Sequence, residues 1–168
     1  MVESALTQSF ASEGELARRA AAVASAWRSA RLCPLRVGLR GDLGSGKTTW
    51  VRAMLRGLGY TGRVPSPTYT LIEQYALEDL TVAHLDLYRL RGVDELENLG
   101  FRDWLAAADA WLLIEWPERA GDFASKCDLE LEFRITQPEA RAVAVRARSE
   151  AGRAALEAFS EQDSNNAA

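Results

Sequence analysis

The sequence has little lysine, little cysteine and little histidine. Only Lys47 and Lys126 are lysines among its 20 basic residues. Its two cysteines, Cys33 and Cys127, lie far apart and form no Cys-x-x-Cys pair. Neither a disulfide framework nor a cysteine-built zinc site fits that spacing. One histidine, His84, argues against histidine-based metal chemistry. No run of about 18 or more apolar residues exists, so no segment reads as a membrane span. The longest apolar-leaning stretch, 20–26, is bracketed by Arg18, Arg19 and Arg28. The opening MVESALTQSFASEGEL lacks the basic and then apolar order of a secretory leader, which predicts a cytoplasmic address. There is no internal repeat and no Gly/Ser linker.

What is present suits one soluble domain. The chain has 168 residues, 48% hydrophobic and 26% charged, enough for a real core. Its pI is near 5.2, and its charge is uneven. Residues 1–72 carry ten basic against four acidic side chains, and residues 73–168 carry ten against twenty. An acidic chain is a poor lone binder of nucleic acid, because phosphate contacts need a basic footprint. The positive first part could still hold a polyanion locally.

Periodicity predicts a short strand over 5–10 and a helix from the capping box at Ser12–Glu15 to about Arg28. A buried strand follows at Pro34–Arg40, then a glycine-rich turn and a helix at Lys47–Leu58. Strands are expected at Tyr69–Ala76 and Leu80–Tyr88, and short helices at Asp94–Leu99 and Phe101–Ala107. The apolar run Trp111–Ile114 reads as a central strand. Pro117–Phe123 reads as a turn or short helix. Leu129–Thr136 and Ala140–Ala147 alternate strongly and read as an antiparallel hairpin. A closing helix is expected at Ala151–Phe159, inside a single domain of residues 1–159, with 160–168 a frayed tail. Strand–helix alternation early and antiparallel strands late predict an α/β fold with a mixed central sheet, three layers deep.

Gly41-Asp42-Leu43-Gly44-Ser45-Gly46-Lys47-Thr48 fits G-x-x-x-x-G-K-[ST] in full, after a strand and opening a helix. Glycines let successive amides turn inward as an anion nest, and the helix N-terminus adds positive potential. In this motif Lys47 reaches the β/γ-phosphates and the Thr48 hydroxyl supplies one Mg²⁺ ligand. Such a loop needs an acid at the end of a neighbouring strand. Glu115 ends the apolar run Trp111–Ile114, and Asp86 ends His84-Leu85-Asp86. Asp86 also fits a strand-end cap, and Glu115 a surface acid at a turn. Neither lysine lies in the N/TKxD segment of Ras-type GTPases, and no LSGGQ signature occurs. The chain is too short for an AAA+ module with its lid domain. A P-loop small-molecule kinase stays open, although the stretch where an Arg-rich lid would lie holds only Arg102 and Arg119.

Four blocks then fall in one order: GDLGSGKTT at Gly41–Thr49, VPSPTYTL at Val64–Leu71, HLDLYRL at His84–Leu90, and IEWPE at Ile114–Glu118. In these the chain resembles the TsaE (YjeE) family, P-loop ATPases of bacterial tRNA threonylcarbamoyladenosine biosynthesis, from about residue 9 to 159. The resemblance implies a P-loop NTPase-like fold. It implies that Leu43, Gly44, Ser45, Gly46, Lys47, Thr48 and Thr49 bind ATP. It implies that Thr48, Glu115 and Asp86 hold Mg²⁺, with Lys47, Asp86 and Glu115 catalytic. Ser66, Thr68 and Thr70 would lie in a switch-like loop sensing the γ-phosphate, where a β-turn entering a strand is the plainer reading. Trp116 would stand beside the site, or simply pack in the core. Adenine contacts would come from the N-terminal segment near Phe10 and from the late hairpin. Arg141 matches an Arg of related chains, but a solvated strand position fits as well.

The implied reaction is attack of water on the γ-phosphorus of Mg-ATP. No arginine is marked as a finger by its context, and Arg89 is the nearest candidate. Slow hydrolysis alone, stimulated by a protein partner, is therefore expected. The resemblance implies TsaD and TsaB as partners and tRNA contact through that complex, with no membrane and no DNA partner.

Overall fold

The computed structural model describes residues 5–166, the side chains of 162–166 excepted. Seven strands form one sheet in the order β1-β7-β6-β2-β5-β4-β3. In chain order they are β1 (Ala5–Phe10), β2 (Leu35–Arg40), β3 (Ile72–Ala76), β4 (Thr81–Asp86), β5 (Ala110–Glu115), β6 (Leu129–Ile135) and β7 (Arg141–Ala147). The four central strands, β6-β2-β5-β4, run parallel. The pairs β3–β4, β6–β7 and β1–β7 are antiparallel. The α/β class with a mixed sheet and late antiparallel strands is as expected.

Alternate residues of the central strands feed two separate cores. Leu35, Val37 and Leu39 of β2 and Trp111 and Leu113 of β5 meet α1 (Glu13–Ser29), α2 (Lys47–Gly57) and α5 (Glu150–Asn166) on one face. Leu112 and Ile114 of β5 and Ala83 and Leu85 of β4 meet α3 (Val93–Asn98), α4 (Phe101–Ala106) and the 3-10 segment Pro117–Lys126 on the other. Every residue of β5 is buried, as a strand covered on both faces requires. Three large aromatics fix the first core: Trp50 stacks on Phe159 with centroids 6.1 Å apart, and Phe133 meets it edge-on at 5.7 Å. The Glu15 amide donates to Ser12 Oγ at 3.2 Å, which closes the expected N-cap of α1, worth about 1 kcal/mol.

Two boundaries differ from the sequence reading. The strand expected from Tyr69 begins only at Ile72. Leu71 takes φ of 62° and its amide donates to Pro67 O at 2.9 Å, so the chain is still turning there. The tail expected from residue 160 is instead helix: α5 continues to Asn166, and Ser160 Oγ bonds back to Leu156 O at 3.0 Å. Phe159, fully buried, anchors that turn, and the following Ser-Glu-Gln-Asp has no Gly or Pro to stop it. Ala167 and Ala168 lie outside the described residues. No helix among the described residues is long and apolar enough to cross a membrane.

Candidate functional site

The carboxyl ends of β2, β4 and β5 open into a cleft of about 490 Å³. Ligands bind at that end in open parallel α/β sheets. After β2 the chain turns through Gly41–Gly46 and enters α2 at Lys47. Two glycines are irreplaceable there. Gly41 has φ of 141°, and a Cβ on it would lie 2.6 Å from Phe133 O; Gly46 has φ of 110°, and a Cβ would lie 2.7 Å from Leu16 Cδ2. Only a residue without a side chain can adopt that curl under those neighbours. Ser45 is buried beneath the loop, and its amide donates to Asp42 O at 3.1 Å.

Lys47 is 4% exposed. Its Nζ donates to Gly41 O at 2.6 Å and Asp42 O at 2.8 Å. It lies 4.6 Å from the centroid of the Trp116 ring. Burial pushes its pKa down, against the pull of Glu115, Asp86, Glu118 and Asp42. Trp116 takes φ of 58° immediately after β5, and its ring packs on Tyr88 at 5.0 Å. A left-handed non-glycine backbone costs of order 1–3 kcal/mol. Here it brings the indole over the lysine while the side chain still packs against the second core. Trp116 thus lines the cleft and packs on the core at once.

The two acids face each other across neighbouring strands, in register as Asp86↔Glu115. Glu115, 3% exposed, accepts the Thr48 hydroxyl at 2.8 Å on Oε1. The same oxygen lies 2.8 Å from His84 Nε2. Asp86 accepts the Tyr88 amide at 3.1 Å. Burial pushes the Asp86 carboxyl up and Glu115 adds to it, while the Tyr88 amide, His84 and Lys47 work the other way. A hydroxyl beside two carboxylates is a hard-oxygen donor set that suits Mg²⁺. Among the described residues no three His, Cys, Asp or Glu side chains cluster for a metal. A Mg²⁺ site of this kind draws its remaining ligands from substrate phosphates and water.

Leu43, Gly44, Gly46, Lys47, Thr48, Thr49, Ser66, Thr68, Asp86, Arg89, Glu115, Trp116 and Arg141 all line this one cleft. Ser66 and Thr68 share a 2.9 Å hydrogen bond at its mouth. Thr70 does not join them, because its hydroxyl turns to Glu73 at 2.9 Å on exposed surface. Phe10 is also outside: it is 5% exposed and packs edge-on against Trp50 in the helical core, with no face to the cleft. Strand alternation at residues 5–10 could not say which face Phe10 would take. Arg141 does not sit free in solvent; its guanidinium donates to Gly44 O at 3.1 Å and to Ala140 O at 2.9 Å, tying the late hairpin to the glycine turn. Arg89 lies over the Tyr69 ring at 4.9 Å.

Sequence reasoning missed Glu13, Leu16, Tyr88 and Glu139, which also line the cleft, and His84. The capping box at Ser12 could have pointed to Glu13 and Leu16, since it starts a helix beside the glycine turn. Nothing local marked Glu139.

The Threonylcarbamoyl adenosine biosynthesis protein TsaE family model matches residues 8–143. The chain belongs to the TsaE family. A TsaE protein of Haemophilus influenzae, curated under tRNA threonylcarbamoyladenosine biosynthesis, is 41% identical over 124 residues, 74% of this chain and 77% of that protein. The TsaE protein of Aquifex aeolicus is 36% identical over 109 residues, 64% of this chain and 73% of that one. In fold the chain is similar to Bacillus subtilis YdiB, with TM-score 0.74 over 97% of this chain and 99% of that chain at 23% identity. The four sequence blocks of this TsaE-family chain supply the glycine turn, the Ser66–Thr68 loop, the Asp86 strand end and the Glu115–Trp116 corner, and all four meet at the cleft.

Proposed function

We propose that this chain binds Mg²⁺-ATP in the cleft and hydrolyses it to ADP and phosphate, in support of tRNA threonylcarbamoyladenosine formation by TsaD and TsaB. One observation carries the reading. A glycine turn at a helix start, a buried lysine and the Thr48–Glu115 pair beside Asp86 converge in a single cleft. Membership of the TsaE family supports the pathway.

The roles follow from the chemistry of each group. The start of α2 offers amides and positive potential to phosphate oxygens. Lys47, now held only by neutral loop oxygens, gains more from a phosphate, because hydrogen bonds between charged partners are the stronger ones. Thr48, Glu115 and Asp86 would hold Mg²⁺. When bound, that ion neutralises phosphate charge and polarises the transferring group. Asp86 and Glu115 would orient an attacking water, and the Ser66 and Thr68 hydroxyls line the same cleft. Trp116 over Lys47 keeps bulk water from the ammonium. Arg89 lines the cleft without an ion-pair partner among the described residues and is the candidate for a cationic assist. The reading therefore expects slow turnover alone and faster turnover with partners.

The test is phosphate release from Mg-ATP by the chain alone and with TsaD, TsaB and tRNA, read beside tRNA modification. Stimulated phosphate release with no phosphorylated acceptor is the expected result. A phosphorylated small molecule would instead establish the kinase alternative. Failure to recover TsaD or TsaB with the chain in pull-downs would remove the partner assignment.

A further inference from the structure

His84 is the single histidine of the chain and is fully buried. It stands on β4 two residues before Asp86, so both side chains leave the same face of the strand. Its Nε2 lies 2.8 Å from Glu115 Oε1, the oxygen that also accepts the Thr48 hydroxyl at 2.8 Å. Its Nδ1 is buried without a hydrogen-bond partner. Nε2 must carry a proton, because a lone pair there would face the carboxylate oxygen. A proton on Nδ1 alone would also leave a buried donor unsatisfied, the costlier error.

We infer that His84 is a positioning residue: its Nε2–H holds the Glu115 carboxylate in the rotamer that receives the Thr48 hydroxyl, and so fixes the donor pair that would take Mg²⁺. The inference rests on the Mg²⁺-nucleotide reading above. A hydroxyl has one proton and two lone pairs. With its proton given to Glu115, Thr48 has lone pairs left for a cation. Without His84, Glu115 loses one of its two anchors, and the Thr48 hydroxyl loses its fixed acceptor. Groups that orient metal ligands in this way are worth about 10–100-fold in metal affinity or activity.

The experiment compares wild type with His84→Leu, which fills the space without a donor, and His84→Gln, which can return an N–H. ADP binding is followed by calorimetric titration in EDTA and at a series of Mg²⁺ concentrations, with the melting temperature of each ligand-free protein as a check. The expected result is that His84→Leu needs about 10–100-fold more Mg²⁺, binds ADP in EDTA within about two-fold of wild type, and that His84→Gln recovers most of the loss. Equal Mg²⁺ dependence in all three proteins, or equal weakening with and without Mg²⁺, overturns the inference. Should a variant fail to fold, ¹⁵N-histidine spectra of wild type decide it, because one histidine gives one imidazole. A protonated Nε2 whose signal moves with Mg-ADP and not with ADP alone supports the inference; a signal indifferent to Mg²⁺ overturns it. A wild type that binds no Mg-nucleotide at all sinks the proposed function and the inference with it.

Discussion

Glu130 and Asp86 are both buried carboxylates, 8% and 7% exposed, and their surroundings push them in opposite directions. Around Glu130 the charges interlock. Arg148 donates to it at 2.7 Å and Arg40 at 3.1 Å, and Arg40 also reaches Glu118 at 3.3 Å. Arg134 and Arg146 share Glu132 in the same way. Burial works to raise the Glu130 carboxyl, but Arg148 and Arg40 outweigh it and hold the group below its ordinary value. In the cleft the balance is reversed. Burial raises Asp86 and lowers Lys47, and the neighbouring charges do not restore either. Buried charge short of partners is a cost to folding. The ladder on β2, β6 and β7 spends its charges on the fold, whereas the cleft leaves its charges under-matched, as the proposed Mg²⁺-nucleotide site would require.

Lys47→Met is the strongest way to break that contrast. Phosphate release should fall about 10²–10³-fold, the usual loss for one preorganised electrostatic contact. The ligand-free melting temperature should fall less than in Glu130→Gln. Collapse of the ligand-free fold would mean that Lys47 is structural after all. Glu130→Gln should do the reverse. Losing a carboxylate shared by two guanidinium groups costs about 1.5–3 kcal/mol, which at roughly 2–4 °C per kcal/mol is a plain shift in a melting curve. Hydrolysis should stay within about two-fold, since Glu130 does not line the cleft. A large loss of activity would remove the division between the two regions.

pH sharpens the same contrast with opposite signs. A carboxyl raised by folding contributes stability that is complete below its ordinary value and is lost as pH rises through the raised one. Ionised Asp86 is thus a burden at neutral pH, and Asp86→Asn should melt above wild type at pH 7, with the gain fading toward pH 4. A lowered carboxyl contributes above its ordinary value and loses that contribution as pH falls through the lowered one. The deficit of Glu130→Gln should therefore be full at pH 7 and shrink in acid. Two curves of the same slope would refute the assignment of one acid to the fold and the other to the site.

Much of the cleft was legible because its signals are local. Gly41–Thr48 writes a turn and a helix start in eight residues. Glu115 announces itself by ending an apolar run, and the register that sets Asp86 beside it follows from parallel pairing of the two strand ends. What stayed hidden depends on facing or on distance. Phe10 ends a strand whose alternation leaves its face undecided. Thr70 stands in the expected loop, but its neighbour Glu73 takes the hydroxyl. His84 reads as one polar residue inside a buried strand, and its meaning comes from Glu115, 31 residues away. The continued α5 was obscured by a polar end that loops and helices share.

Arg141 offers the smallest effect. Its guanidinium joins the Gly44 carbonyl, 97 residues away, to the hairpin carbonyls of Gln137, Pro138 and Ala140. It lines the cleft, so it could serve the loop or the nucleotide. If it serves the loop, Arg141→Ala frees four carbonyl acceptors, three of them exposed enough for water to replace the guanidinium. Ligand-free stability should then drop by about 1 kcal/mol, and nucleotide affinity by less than about ten-fold. Arg141→Lys should repair little, because a single ammonium cannot span carbonyls on both sides as the planar fork does. A loss of affinity beyond about 100-fold, with the ligand-free melting temperature unchanged, would place Arg141 on the nucleotide itself. It would then belong with the under-matched charges of the cleft and not with the ladder of its own strand.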